Sequence, residues 1–217
     1  MTSAPEDRPD RVLRIPPERL DRWLAGFARR HGTVETRAAP DAVTVVAADG
    51  AHARCTVPFP PMTPDESEYG GLVEHAQRDR RVGVLLVRRG GYASGVFDGT
   101  RLVTSKVGSR HVQGRTAAGG QSQQRFARRR EKQAREAFEA AADVAARVLV
   151  PHLASLEAVV TGGDRAAVDT VLADRRLGGL RALAVPPHLD VPDPKLAVLK
   201  ETPAQFRAVR IALTEPR

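Results

Sequence analysis

Three runs of strand-forming residues follow one another within residues 81 to 109, and the gaps between them leave room only for tight turns. They are RVGVLLVRR (81–89), YASGVFDG (92–99) and RLVTSKVGS (101–109), punctuated by Gly90-Gly91 and by Asp98-Gly99. Gly-Gly and Asp-Gly steps between such runs are hairpin signals, because the turns that match strand twist need positive φ. The stretch therefore predicts an antiparallel meander. A polar, Gly-containing segment follows at 110–121, then a long helical stretch from about Ser122 to Val150. Within it Phe126, Ala134, Phe138, Ala141, Ala145 and Val148 fall at spacings of eight, four and three, the apolar stripe of one helix that packs on a sheet.

The flanks follow the same logic. After a Pro- and Asp-rich start, VLRIP (12–16) reads as a strand and PERLDRWLAGFARRHG (17–32) as an amphipathic helix, with Leu20, Trp23, Leu24 and Phe27 inward and Gly32 as its stop. AVTVVAADGAHARCTVPF (42–59) alternates about an Asp-Gly turn and reads as a hairpin. The Pro-, acid- and Gly-rich stretch 58–71 reads as a linker. Beyond the long helix the pattern alternates: strand 156–162, helix 164–174, strand 180–186, helix 193–201. Alternation of this kind implies parallel pairing beside the meander. The last run, FRAVRIAL (206–213), reads as a strand that either stays with the second unit or returns to the N-terminal module. The expected domains are an N-terminal module (1–65), a linker (66–80) and a second unit (81–217).

Charge narrows the class of partner. Against 26 Asp and Glu stand 34 Lys and Arg, a net of +8, which favours a polyanion such as nucleic acid or the ribosome over an anionic membrane. Residues 1–71 hold nine Arg against eleven acids, a net of −2, so the excess lies further on. Residues 105–136 carry nine basic side chains against Glu131 and Glu136, a net of +7. Only four of the basic residues are lysines; either a GC-rich genome or bidentate phosphate contact accounts for the arginine bias.

Several chemistries find no support. A single cysteine, Cys55, excludes an internal disulfide framework and a multi-cysteine zinc site, and reads as a buried strand residue. There is no P-loop, no G-x-S-x-G elbow and no H-E-x-x-H, and the six histidines are scattered, so no metal or cofactor is expected. The N-terminus lacks the apolar core of a signal peptide and no run suits a membrane span, so a cytoplasmic protein is expected.

One segment stands out: AAGGQSQQRFARRREK, residues 117–132. Gly119 and Gly120 before a helix read as a flexible loop or as a phosphate-binding turn. Arg125, Arg128, Arg129 and Arg130 oppose the positive end of the helix dipole, so an external anion is the expected compensation, with a solvated basic face as the alternative. Ser122 is placed as an N-cap, and no base lies near it in sequence to make it a nucleophile. Phe126 reads as the first core anchor of the helix, with base stacking as the other reading.

GGQSQQRFARRREKQ resembles the loop-to-helix segment of the peptidyl-tRNA hydrolysing domain of archaeal and eukaryotic class-one release factors. The matching positions are Gly119, Gly120, Gln121, Ser122, Arg125, Phe126 and Arg128, and the resemblance in layout covers residues 80–201. Two departures stand out: Thr116, Ala117 and Ala118 separate Gly114-Arg115 from the glycines, and nothing resembles the codon-reading or GTPase-binding domains. That combination is similar to the Vms-like release factors of ribosome rescue and quality control. The fold expected is mixed α+β and α/β. It comprises a small N-terminal β-α-β-β module and a release-factor middle-domain-like sheet, made of a three-strand meander, then β-α-β-α, with a long basic helix after the loop.

The resemblance implies a codon-independent peptidyl-tRNA hydrolase that frees nascent chains on stalled ribosomes or large subunits. Gly119, Gly120 and Gln121 would form its catalytic tip. Arg110, Arg115, Arg125, Arg128, Arg129, Arg130 and Lys132 would dock on ribosomal RNA and tRNA phosphates. The expected partners are the large ribosomal subunit, its rRNA and peptidyl-tRNA, met by a monomer without a GTPase. Two other readings stay open: a ribosome- or RNA-binding factor of the same fold without hydrolysis, and an RNA nuclease. The nuclease would call for clustered carboxylates, and near the loop only Asp98 offers itself, in a position that reads as a hairpin turn residue.

Overall fold

The computed structural model describes residues 9–88, 91–109 and 122–216, with side chains throughout except at 122–131. Among these residues nine strands and six helices form two units. One comprises the chain as far as Arg78 together with Arg207 onward; the other is Asp79–Phe206.

In the first unit α1 (Pro17–His31) begins with Pro17 at its first position, where the missing N–H costs nothing, and Glu18 follows in the first turn. Arg29, Arg30 and His31 in the last turn complement the helix dipole, and Gly32 at φ 87° ends the helix. Its inward stripe is Leu20, Leu24 and Phe27, all fully buried, with the half-buried Trp23 stacked on Phe27 at 5.9 Å between ring centres. The stripe packs on a five-stranded antiparallel sheet: β1 (Arg11–Ile15), β2 (Val34–Ala38), β3 (Ala42–Ala47), β4 (His52–Thr56) and β9 (Val209–Thr214), in the order β1-β9-β4-β3-β2. Alternation sends Val43, Val45, Ala53, Cys55, Val209, Ile211 and Leu213 into this core. Burial there pushes the Cys55 thiol up to about 12.

Two features of this unit differ from the sequence reading. The β-α-β-β module gains β2, whose only apolar residues, Val34 and Ala38, are too few to announce a strand; as an edge strand it is half-buried at both. Residues 66–80, expected as linker, carry the short helix α2 (Leu72–Gln77), preceded by a single 3-10 turn at Glu68–Gly71. Tyr69, Leu72 and Ala76 join the core beside α1, and Met62 does the same from the Pro-rich stretch before them. Pro and Gly marked where the backbone turns, and three apolar anchors hold it down.

The second unit is built on β5 (Arg81–Arg88), β6 (Gly91–Asp98), β7 (Arg101–Gly108) and β8 (Ala158–Gly163), in the order β7-β6-β5-β8. The meander is antiparallel as expected, and β8 joins β5 in parallel. Strand β5 is buried on both sides. Leu85 and Val87, with Val96 and Val159 of neighbouring strands, meet α3 (Ser122–Leu149) and α4 (Arg165–Leu172). On the opposite side Phe97 meets Phe206 of α6 (Leu196–Phe206) edge-on at 6.0 Å, and Gly95 leaves room for Leu199. Two-sided burial is why β5 reads as a nearly continuous apolar run.

The strand expected at 180–186 is corrected. Leu177 and Leu180, three apart and fully buried, belong to a 3-10 turn and the helix α5 (Gly178–Ala182). The chain then runs beside the free edge of β8 in two isolated parallel bridges, Val159 with Ala184 and Gly162 with Leu189. Between them stand Pro186 and Pro187, which have no N–H to give a ladder. Truncating a fully packed aromatic costs both its transfer energy and a cavity. Phe27→Ala is therefore expected to lose about 3–5 kcal/mol, measured by urea unfolding.

Candidate functional site

The loop-to-helix segment lies between two elements whose positions are set by the second sheet. Strand β7 delivers the chain at Gly108, and α3 receives it at Ser122. Gly119, Gly120, Gln121, Arg110, Arg115 and the Thr116–Ala118 departure lie outside the described residues. So do the side chains of Arg125, Phe126, Arg128, Arg129 and Arg130, whose backbone is helical. Lys132 is exposed. Ser122, read as the N-cap, is the first helical residue, and the residue before it lies outside the described residues.

Helix α3 is one continuous element of 28 residues. From Lys132 on, burial is absent or partial until Ala137; then Ala141, Ala142, Val144, Ala145, Val148 and Leu149 are buried. The stripe read from spacing matches at Ala141, Ala145 and Val148, while Ala134 and Phe138 are half-buried. At 1.5 Å per residue the fifteen-residue step from Ser122 to Ala137 spans about 22 Å of helix. Among its described side chains the helix is anchored from Ala137 onward, and in sequence its N-terminal end carries the arginine run.

A charged clamp holds this anchor laterally. Arg176 donates to Asp143 on α3 at 2.8 Å and to Asp174, beyond α4, at 2.7 Å. Asp174 also accepts from the backbone N–H of Arg176 at 2.9 Å and so caps the turn that follows. These hydrogen bonds lower the Asp174 carboxyl from 3.8 to about 2. No sequence signal announced the clamp, because its partners lie 33 residues apart on different elements.

The other polar residues singled out from sequence have structural partners. Asp98 closes the β6–β7 turn with Arg101 at 3.1 Å and Arg81 at 3.5 Å. His188 bridges Thr161 Oγ1 and the Gly163 carbonyl, both at 3.0 Å, and so fastens the segment beside β8. His31 bonds Asp49 at 2.8 Å, and His75 bonds the carbonyl of Pro58 at 2.9 Å. Among the described residues no group of three His, Cys, Asp or Glu side chains could hold a metal ion, and no helix is long and apolar enough to cross a membrane.

A family model described as acVLRF1, the Actinobacteria/chloroflexi VLRF1 release factor, matches residues 80–212. The chain belongs to the VLRF1 release factor family. This is the family of the sequence resemblance. The match spans the whole β7-β6-β5-β8 sheet, the segment 109–121 and α3, and it extends into β9. No curated protein matches the chain. Among solved structures it is similar to the archaeal translation termination factor aRF1, with 18% identity, a TM-score of 0.46 and 90% of this chain covered. It is similar to a Vms1 mitochondrial localization core at 8% identity and a TM-score of 0.47, covering 89% of this chain and 80% of that one. A third, an archaeal protein, gives 18% identity and a TM-score of 0.41 over 75% of this chain. The chain spans 66% of the length of the termination factor and 51% of that of the archaeal protein.

The lowered Asp174 carboxyl predicts an acid response. Its contribution to stability is complete above 3.8 and is lost as pH falls through about 2. Asp174→Asn is expected to lose less stability across that window than the parent, in urea midpoints taken at a series of acid pH values; identical pH profiles would show that the clamp contributes nothing.

Proposed function

We propose that the chain is a codon-independent peptidyl-tRNA hydrolase that frees nascent chains on stalled ribosomes or large subunits, working through Gly119, Gly120 and Gln121. The observation that carries this reading is the Gly-Gly-Gln tripeptide directly ahead of a helix that begins at Ser122, within a release factor family match. Support comes from what hydrolysis of an activated ester needs. The bond between peptide and tRNA ribose yields to one positioned water and a stabilised oxyanion, without a side-chain base. Two glycines let the backbone approach the tRNA end in torsions closed to other residues. Gln121 offers its backbone N–H to the developing charge and its side-chain amide to the water.

The arginine run plays a separate part. Arg125, Arg128, Arg129 and Arg130, with Arg110, Arg115 and Lys132, contact rRNA and tRNA phosphates, which position the tip without reading sequence. The long lever of α3, anchored only from Ala137 onward among its described side chains, suits delivery of a tip away from the body. The monomeric state and the absence of a GTPase partner belong to the same proposal.

Two measurements separate these parts. In release of a labelled peptide from peptidyl-tRNA on isolated large subunits, without a stop codon, Gln121→Ala is expected to abolish release and keep binding within about threefold. Normal release by that variant would refute the mechanism; binding without release by either protein would favour a non-catalytic ribosome-binding factor. The double change Arg128→Glu with Arg129→Glu is expected to weaken subunit binding and to flatten its dependence on salt. An unchanged slope would mean that these arginines face solvent in the complex.

A further inference from the structure

The sheet of the first unit has one face covered by α1 and one face open. The strand register assigns the residues of the open face. Val12, Ala212, Arg54, Thr44 and Arg37 are successive cross-strand partners from β1 through β9, β4 and β3 to β2. In the neighbouring row Arg14 and Arg210 are direct partners across β1 and β9. Arg14, Arg54, Arg210 and Arg37 are all exposed, as is Val12 at 47%. Glu35, the acid on this face, is engaged by Arg37 at 3.4 Å. Arg14, Arg54 and Arg210 have no ion pair or side-chain hydrogen bond among the described residues.

This arrangement is unfavourable within the chain. Like charges directly opposite on an antiparallel pair are destabilising, and among the described residues no carboxylate bonds them. General charge excess does not account for it, since residues 1–71 carry a net of −2. Five of the eleven acids lie elsewhere: Glu18 and Asp21 are on α1, and Asp65, Glu66 and Glu68 are around the 3-10 turn. Three guanidiniums on three adjacent strands spread across about 10 Å of flat surface, given ~4.8 Å between neighbouring strands. A flat array of that width matches successive phosphates of a polyanion rather than one enclosed anion. Arg suits such contact through its planar, bidentate fork.

We propose that the open face of the β1-β9-β4 sheet, through Arg14, Arg54 and Arg210, binds the phosphate backbone of large-subunit ribosomal RNA. The choice of ribosomal RNA rests on the ribosome association proposed above for this release factor family member; hydrolysis plays no part in it. Arg14 and Arg54 lie outside the residues that the family model matches, so this surface is additional to the release-factor unit. Contacts of this kind add affinity and orientation and carry no sequence information.

The test compares the full chain with the triple variant Arg14→Gln, Arg54→Gln, Arg210→Gln in binding to purified large ribosomal subunits over a salt series. Each lost phosphate contact removes ~0.7–0.9 from the slope of log affinity against log salt, so the variant's slope is expected to be shallower by about 2–3. Its affinity at low salt is expected to fall by about tenfold or more. Its melting temperature should hold or rise, because the opposed pair is relieved. The matching Arg→Lys triple should keep most of the slope. Unchanged slope and affinity in the Gln variant would overturn the proposal and leave the face to an acidic protein. An equal loss with deacylated tRNA in place of subunits would overturn the ribosomal assignment. Peptide release by the unsubstituted chain and by Gln121→Ala, measured alongside, separates the two proposals: a shallower slope in the triple variant, with no release by the unsubstituted chain, upholds this surface and sinks the hydrolase reading.

Discussion

The second unit depends on the two-sided burial of β5 and β6. Because β5 is apolar on both faces, it is stable only with helices on each, and that requirement recruits α3 and α4 to one side and α6 to the other. Alanines on α3, at 137, 141, 142 and 145, let the helix backbone lie close to the sheet. Among the described side chains of α3, those that pack on the sheet lie from Ala137 onward. Arg176, joined to Asp143 and Asp174, braces the packed half from the side.

Both units place positive charge where a local rule disfavours it. The start of α3 concentrates arginines at the wrong end of a helix dipole, and the open sheet face sets Arg14 against Arg210. Local rules broken without an internal compensation are expected at functional sites, where a partner supplies the missing term. In both places the missing term is negative charge. The two surfaces stand on different units, so contact with RNA could come from both.

Elements whose signals lie within a short window were legible in the sequence. The meander 81–109, the hairpin 42–59, α1, α3 and α4 each have a period or a turn pair that needs no distant partner. Misreadings came where the window was ambiguous. LRALAVP alternates well enough for a strand, yet Leu177 and Leu180 follow a helical step into the core and Pro186-Pro187 interrupts any ladder. VETRA has too little apolar content to stand out, and 66–80 was read from its turn residues rather than from Tyr69, Leu72 and Ala76. Of the site, the tripeptide and the arginine run were visible as composition; the Asp143–Arg176–Asp174 clamp was not, since it joins residues that no periodicity connects.

The sequence by itself determined the local periods, the Gly-Gly-Gln tripeptide with its basic helix, and the uneven distribution of charge, because each is a property of neighbouring residues. Tertiary structure decided what those periods face. It set β9 between β1 and β4, nearly two hundred residues from its first partner, and in doing so brought Arg210 opposite Arg14. It also decided that the 66–80 stretch is core rather than tether. The physical reason is that strand pairing and burial are settled by competition among all apolar surfaces at once. A residue's own neighbours fix its side of a strand, and only the assembled sheet fixes what lies across from it.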